Sequence, residues 1–144
     1  MSIILITSSH LRHKCFTKLM CDAMPVSLVI VENKPQNNDV MKEKEKEYFL
    51  PLEGWKPDCS VWNLEKGEIN ERYVARELSS LEPDFIFTFG CSLLKKRIFS
   101  IPRNGCINIH TGLVQEFRGV DSSFWALNKE LPEAVGATIH YINR

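Results

Sequence analysis

The sequence predicts an α/β fold in which helices cover both faces of a mostly parallel sheet. Short apolar runs rich in β-branched residues alternate with segments of helical periodicity over the 144 residues. This alternation favours parallel strands joined by right-handed helical crossovers. Two of the runs, Ile3–Thr7 and Val26–Val31, are almost wholly apolar, which is typical of strands that are buried on both faces. The expected architecture is a three-layer, Rossmann-like α/β/α sandwich.

Five elements are predicted in the first half of the chain. They are a strand over Ile3–Thr7, a helix over Leu11–Met24, a strand over Val26–Val31, a helix over Val40–Phe49 and an edge strand over Val61–Leu64. Ser8 and Ser9 are the expected N-caps of the first helix. The inward side chains of that helix are expected to be Leu11, Cys15, Leu19 and Met20. The second helix carries the alternating charges of Lys42–Glu47, which predict a solvated face, within a charged insertion over Lys34–Trp55.

Six elements are predicted in the second half. They are a helix over Asn70–Leu81, a strand over Asp84–Gly90, a short helix over Leu93–Phe99, a strand over Cys106–His110, a helix over Ser122–Asn128 and a last strand over Ala137–Ile142. The first of these helices is amphipathic, and Asn70 is its expected cap. Its inward residues are expected to be Val74, Leu78 and Leu81. Phe124 and Trp125 are expected to belong to the core rather than to a stacking platform.

Composition disfavours several classes of function. The chain has 18 basic and 18 acidic side chains, so no basic field favours nucleic acid or an anionic membrane as the main partner. Its five cysteines form no CxxC pair, which argues against a zinc site or a disulfide framework and favours reduced thiols in the cytoplasm. No apolar run approaches the ~18 residues of a membrane helix, and the start lacks the basic leader of a signal peptide. We expect no metal site.

Asn108 and His110 are the most informative pair for chemistry. Side chains alternate along a strand, so these two point to the same face. An amide donor beside an imidazole can hold a developing oxyanion and move a proton. Read alone, the pair is more typical of strand-end residues that satisfy backbone groups. The dinucleotide-binding GxGxxG and the P-loop are absent, which disfavours nicotinamide and ATP enzymes of those types.

Two other strand ends carry candidate ligand-binding residues. Ligands of open parallel sheets bind beyond the carboxyl ends of the strands. Ser8, Ser9 and His10 follow the first strand, and the run Gly90–Leu94 follows the fourth. The alternatives are structural. His10 and His13 have the pattern of an exposed helix start, His140 that of a packing or surface residue, and Cys91 that of a buried thiol.

An ordered set of motifs runs from Asp84 to the end of the chain. It comprises Asn108-Ile109-His110, Phe117-Arg118-Gly119, Trp125-Ala126-Leu127 and Gly136-Ala137-Thr138-Ile139-His140. In order and spacing this set resembles the folate-dependent formyltransferases, a family that includes methionyl-tRNA, glycinamide ribonucleotide and sugar N-formyltransferases. The resemblance implies a mostly parallel sheet with an antiparallel last strand.

The resemblance also implies a reaction and a set of site residues. It implies transfer of a formyl group from 10-formyltetrahydrofolate to a primary amine, with Asn108 and His110 as the catalytic residues. The folate would contact Cys91, Ser92, Leu93 and Leu94, and the amine substrate would contact Ser8, Ser9, His10 and Arg118. Because the net charge is zero, a small-molecule amine, namely an amino sugar on a nucleotide, is favoured over charged tRNA, which stays an alternative.

The chain departs from the family pattern in two places. Gly112-Leu113-Val114-Gln115 replaces a Ser-Leu-Leu-Pro turn. The catalytic aspartate of the family, with a closing strand and helix, would fall beyond Arg144, so residues 1–144 are expected to be a catalytic domain that is incomplete at its C-terminal end. An unpaired edge at the last strand predicts self-association. A formyltetrahydrofolate hydrolase and a catalytically inactive binding remnant stay open as alternative functions.

Overall fold

The computed structural model describes residues 1–35, 38–52, 54–117, 119 and 121–143. Within these ranges six strands form one sheet in the order β3-β2-β1-β4-β5-β6. The strands are β1 (Ile3–Ser8), β2 (Val26–Asn33), β3 (Ser60–Glu65), β4 (Phe85–Phe89), β5 (Cys106–His110) and β6 (Thr138–Tyr141). All neighbouring pairs are parallel except β5 and β6, which are antiparallel. The predicted fold class, including the antiparallel last strand, is confirmed.

Helices connect the strands. They are α1 (Leu11–Ala23), α2 (Asp39–Phe49), α3 (Arg72–Ser80), α4 (Lys96–Phe99) and α5 (Ser122–Asn128). Short 3-10 turns occur at Leu50–Leu52, Glu68–Asn70 and Pro132–Ala134. The segment between β2 and β3 contains α2, which packs on α1, so the charged insertion expected there is a helical crossover.

Apolar side chains cover both faces of the sheet. On one face, Ile4 and Ile6 of β1 belong to a core cluster that also holds Val74 and Leu78 of α3 and Ile98 of α4. On the other face, Ile3 and Leu5 pack against apolar side chains of α1. Because alternate residues of one strand enter two different cores, β1 is apolar throughout, and this explains why its sequence lacks a polar alternation.

The inward face of α1 differs from the prediction. His13 and Thr17 are buried, whereas Leu19 is 64% exposed. Each of these two polar side chains has an internal partner, since His13 bonds the hydroxyl of Ser8 and Thr17 donates to the carbonyl of His13. Hydrogen bonding removes most of the cost of burying a polar group, so a count of apolar residues misassigns this face. The expectation that His13 is an exposed residue was wrong.

Capping was also predicted incorrectly. The residue at the N-cap position of α1 is His10, and its side chain makes no capping bond, so Ser8 and Ser9 are not the caps. Asn70 lies in a 3-10 turn before α3, and the N-cap of that helix is Glu71. The amide of Asn70 instead bridges to the loop before α4: it donates to the carbonyl of Leu93 and accepts from the N–H of Lys95.

Four further side chains differ from expectation in exposure. Glu45 lies within the charged run expected to be solvated, but it is buried and paired with Arg12 of α1. Phe124 and Trp125 were expected in the core and are 60% and 49% exposed. The helix α5 packs instead through its small residues, because Ser122 and Ala126, one turn apart, are its buried side chains. Leu81, expected on the inward face of α3, is also exposed.

Two properties of the described residues bear on the class of protein. None of the helices there combines the length and the apolar character needed to cross a membrane. All five cysteines are free thiols.

Candidate active site

The candidate site lies at one edge of the sheet, where parallel strands β1, β4 and β5 end. Asn108 and His110 lie in the C-terminal half of β5, which has β4 on one side and β6 on the other. Asn108 is paired with Thr88 across the parallel ladder and with His140 across the antiparallel ladder. Both catalytic candidates are partly buried, so each retains a surface that a ligand can reach.

The side-chain amide of Asn108 is held from both sides. The hydroxyl of Thr88, which is fully buried, donates to Oδ1 of Asn108 at 2.8 Å. Nδ2 of Asn108 lies 3.3 Å from Nε2 of His140. Nδ1 of His140 lies 3.0 Å from the carbonyl of Tyr141, which can only accept, so Nδ1 carries a proton and Nε2 accepts. The amide therefore donates one N–H to His140, and its other N–H has no partner among the residues that the structure describes.

His140 is a residue whose role the sequence left undecided. The alternation along β6 puts it on the same face as Asn108, and the antiparallel register puts it directly opposite. His140 contacts Asn108 and thereby orients its side-chain amide in the candidate site. The available signal was the Gly-x-Thr-x-His pattern, but only the register of β6 against β5 shows which residue the imidazole meets.

The imidazole of His110 contacts α5. Its Nε2 lies 3.0 Å from Oγ of Ser122, and the same hydroxyl lies 3.0 Å from the carbonyl of Gly119. Ser122 is buried. Gly112 makes room for this contact, since a Cβ on residue 112 would lie 2.4 Å from Cβ of Ser122. Ser122 was not among the predicted site residues, and no motif in the sequence pointed to it.

A buried carboxylate fixes the backbone of the loop after β4 through hydrogen bonds. Glu32, at the end of β2, is fully buried. It accepts hydrogen bonds from the backbone N–H of Ser92 and, at 2.9 Å, from that of Gly67. The ammonium of Lys34 lies 3.6 Å from the same carboxylate and donates to the carbonyl of Gly90 at 2.8 Å. These contacts fix the path of the chain where folate contacts were expected.

The four residues of that loop point in different directions. Leu94 is buried in the core, and Cys91 packs against the same core cluster. Burial, together with the charge of Glu32, raises the pKa of the Cys91 thiol to about 12, so it stays protonated at neutral pH and is a poor nucleophile. Leu93 is 92% exposed. It presents an apolar side chain to solvent at the sheet edge, where a ring could pack on it.

The serine hydroxyls of the loop after β1 make hydrogen bonds within the protein that the sequence did not predict. The hydroxyl of Ser8 lies 2.6 Å from Nδ1 of His13, and both residues are buried. The hydroxyl of Ser9 donates to the carbonyl of Lys34 and accepts from its N–H. The ring of His10 stacks beside that of His13 with 5.4 Å between centroids. The three residues expected to contact substrate are therefore together, with Ser8 the least accessible.

His13 is neutral in the folded protein. Burial, followed by repulsion from Arg12, from His10 when it is protonated, and from Lys34, lowers the pKa of His13 from 6.5 to about 3. Burial also lowers the pKa of His10. At neutral pH this cluster therefore presents uncharged imidazoles, and the positive charge near it comes from Arg12 and Lys34.

Two further expectations, on Arg118 and on a metal site, are limited by the range of residues that the structure describes. Arg118, expected to contact the substrate, lies outside the described residues. Among the residues that are described, no group of three or more His, Cys, Asp or Glu side chains is arranged to hold a metal ion.

The geometry supports a particular chemistry. A fixed amide N–H beside an imidazole can stabilise negative charge on a carbonyl oxygen while a proton is transferred. Such an arrangement suits acyl transfer.

Comparison with protein families gives one match over almost the whole chain. The family model described as formyl transferase matches residues 2–144.

Relatives with assigned functions match parts of the chain. A methionyl-tRNA formyltransferase from Clostridium perfringens (strain SM101 / Type A) is 42% identical over 62 residues, which are 42% of this chain and 20% of that protein. A methionyl-tRNA formyltransferase from Thermodesulfovibrio yellowstonii is 41% identical over 71 residues, which are 48% of this chain and 23% of that protein. The matched region thus spans about a fifth of the length of these relatives.

Solved structures share the fold. A phosphoribosylglycinamide formyltransferase from Anaplasma phagocytophilum superposes with a TM-score of 0.65 at 17% identity, over 99% of this chain and 64% of that one. A formyltetrahydrofolate deformylase from Pseudomonas syringae pv. tomato superposes with a TM-score of 0.60 at 18% identity, over 99% of this chain and 46% of that one. At these identities the likeness concerns the arrangement of strands and helices.

Proposed function

Because this chain belongs to the formyl transferase family, we propose that it carries the amide and imidazole of a centre that moves a formyl group from 10-formyltetrahydrofolate to a primary amine. We further propose that residues 1–144 belong to the N-terminal catalytic domain of that enzyme. One observation carries the proposal. Thr88 and His140 fix the amide of Asn108, and within the described part of the chain its second N–H is left to donate, beside His110 on the same strand face.

The chemistry of the transfer makes specific demands on these residues. In this reaction the amine nitrogen bonds to the formyl carbon, the bond from that carbon to N10 of the folate breaks, and one amine proton passes to N10. Asn108 donates its free N–H to the formyl oxygen as negative charge builds there. His110 accepts or returns the proton. A preorganised donor of this type contributes about 2.7–4 kcal/mol to lowering the barrier.

The loop after β4 has properties that fit the folate. Glu32 fixes its backbone at Ser92, so the loop is preorganised. The exposed side chain of Leu93 offers an apolar surface to a planar ring at the edge where Asn108 lies. Cys91 and Leu94 are directed to the core and would support this surface from behind. We therefore assign the ring contact to Leu93 and the supporting role to its neighbours.

The acceptor is proposed to be a small-molecule amine, in particular an amino sugar linked to a nucleotide. The zero net charge of the chain supports a small molecule over a polyanion. The cations Arg12 and Lys34 lie near Ser9 and His10, and although each also pairs with a glutamate, they favour phosphate groups at this position. Charged tRNA is the second candidate, because relatives that are 41–42% identical over part of the chain are methionyl-tRNA formyltransferases.

The proposal is tested by formyl transfer with the natural gene product. The purified protein would be incubated with 10-formyltetrahydrofolate and, separately, nucleotide-linked amino sugars, methionyl-tRNA or no amine. We expect a formylated amino sugar, detected by mass spectrometry. Formylation of tRNA alone would overturn the choice of acceptor, and formate release without any amine would identify a hydrolase. No turnover in any arm would overturn the catalytic proposal.

A variant separates catalysis from contamination. Asn108→Ala removes the free amide donor, and we expect a loss of about 10²–10³ in kcat, the usual cost of removing one oxyanion donor. Asn63→Ala is the matched control, since Asn63 is an exposed residue of the edge strand β3, far from β5 in the sheet order. Equal activity in the two variants would contradict the role of Asn108.

A further inference from the structure

The contact between Ser122 and His110 decides where the imidazole carries its proton. The Ser122 hydroxyl has one proton, and it lies 3.0 Å from the carbonyl of Gly119, which can only accept. The hydroxyl therefore donates to Gly119, and its oxygen is left to accept from Nε2 of His110 at 3.0 Å. A neutral imidazole has one N–H, so in this arrangement the N–H is at Nε2 and the lone pair is at Nδ1.

We infer that Ser122 is a positioning residue for the formyl transfer, which holds His110 in the Nε2–H form and so makes Nδ1 the atom that exchanges the proton. The inference rests on the proposed function for its consequence in catalysis. Its geometric basis is the contact between Ser122 and His110 itself, which does not depend on the reaction that is proposed.

The surroundings of Ser122 show that the contact is built into the packing. Ser122 is 3% exposed, and buried hydroxyls in proteins are almost always hydrogen-bonded. Ser122 and Ala126 are the two buried residues of α5, and Ala126 packs with Phe117 and Ala134. The place of the helix therefore fixes the place of the hydroxyl, and a change in the rotamer of Ser122 would leave the Gly119 carbonyl and the imidazole without this partner.

Gly112 is the second component of the arrangement. A Cβ at position 112 would lie 2.4 Å from Cβ and 2.7 Å from Oγ of Ser122, and 3.0 Å from Nε2 of His110. The space between strand end and helix is thus shared by Ser122 and a residue without a side chain. This gives a physical use for the glycine in the turn Gly112–Gln115, where the sequence departs from the pattern of the family.

The test measures the tautomer directly. Nitrogen-15 NMR of histidine-labelled natural protein distinguishes Nε2–H from Nδ1–H by the shifts of the two ring nitrogens, with His110 assigned from the spectrum of His110→Gln. We expect the Nε2–H form in the wild type at pH 8 and a mixed population in Ser122→Ala. Ser123→Ala, the same chemical change at the next residue of α5, is expected to keep the wild-type shifts. A wild-type Nδ1–H form, or unchanged shifts in Ser122→Ala, would overturn the inference.

A second variant and a kinetic readout complete the experiment. Gly112→Ala displaces Ser122 without removing its hydroxyl, and we expect it to shift the tautomer in the same direction as Ser122→Ala. Formyl transfer by Ser122→Ala should fall about fivefold in kcat, the effect of one neutral hydrogen bond, with KM for folate unchanged. A wild type that transfers no formyl group would contradict the proposed function, while the NMR result would still decide the role of Ser122.

Discussion

Gly90 lies against the imidazole of His13 so closely that a Cβ on residue 90 would stand 2.0 Å from Cε1 of the ring. Gly90 also has a φ of +70°, a region that residues with a side chain adopt only at a cost. The contact joins the loop after β4 to the first turn of α1. It therefore ties together the two strand ends between which the candidate ligands would lie.

A substitution at Gly90 should destabilise the protein more than its backbone conformation alone explains. Gly90→Ala must push the His13 ring away from the Ser8 hydroxyl, and we expect a loss of about 3 kcal/mol in the free energy of unfolding from overpacking and strain. Gly67→Ala is the matched control, because Gly67 has a φ of +87° but open space at its Cβ position. It should cost about 1 kcal/mol. Equal losses in urea denaturation would contradict the close contact.

The neutral state of His13 predicts a pH dependence of stability. The pKa of His13 falls from 6.5 to about 3 on folding because the ring is buried beside positive charges. His13 therefore binds a proton near pH 6.5 in the unfolded chain but only near pH 3 in the folded protein. The contribution of neutral His13 to the free energy of unfolding is therefore fully present above pH 6.5 and is lost as the pH falls from 6.5 towards 3. At pH 5 the loss is about 2 kcal/mol.

Urea denaturation between pH 7 and pH 5 measures this effect. His13→Gln retains a hydrogen-bonding group for Ser8 but has no titrating ring, so its stability should depend less steeply on pH than that of the wild type. Some slope should remain, because burial also lowers the pKa of His10. Parallel pH profiles for variant and wild type would show that His13 is not the group responsible.

Thr88 is expected to act on catalysis through Asn108. Thr88→Val preserves shape but removes the donor to Oδ1 of Asn108, which frees the amide to rotate. We expect kcat for formyl transfer to fall about tenfold, the effect of one hydrogen bond lost in the transition state. Thr17→Val removes a hydroxyl of similar burial that bonds a helix carbonyl in α1, and it should leave kcat unchanged. A fall of the same size in both variants would point to a loss of stability instead.

Glu32 should govern the order of the loop after β4. Glu32→Gln replaces one acceptor oxygen by an NH₂ group that faces a backbone N–H, and we expect a loss of about 3 kcal/mol in stability, as for other broken buried charge networks. The amide proton of Ser92 should then exchange faster with solvent. Hydrogen exchange followed by NMR measures this, with Glu65→Gln, an exposed glutamate of β3, as the control. Unchanged protection of Ser92 would show that the carboxylate does not hold the loop.

Sequence reasoning predicted the sheet well because the strands are specified locally. The runs that became β1, β2 and β4 are short, rich in β-branched or aromatic residues and bounded by turn residues, and these features together distinguish buried strands from helices. The order of motifs likewise placed Asn108 and His110 at a strand end, where the structure has them.

The remaining features depend on contacts distant in the sequence. His13 is buried because Ser8 is its partner, and Trp125 is exposed because Ala126 packs in its place. Ser122 approaches His110 through the placement of α5, which no local pattern specifies. Each of these outcomes depends on which side chains of different elements contact one another. Helical or strand periodicity does not predict such contacts.

The position of β6 in the chain has a consequence for synthesis on the ribosome. Asn108 takes one of its two anchors from Thr88, which is made 20 residues earlier, and the other from His140, which is made 32 residues later. At a translation rate of about 5–20 residues per second, the second anchor follows Asn108 by about 2–6 seconds. During that interval a nascent chain can already pair β1, β2 and β4, while its amide is tethered on one side only. The scaffold is thus complete before the group that would polarise a carbonyl acquires its final orientation.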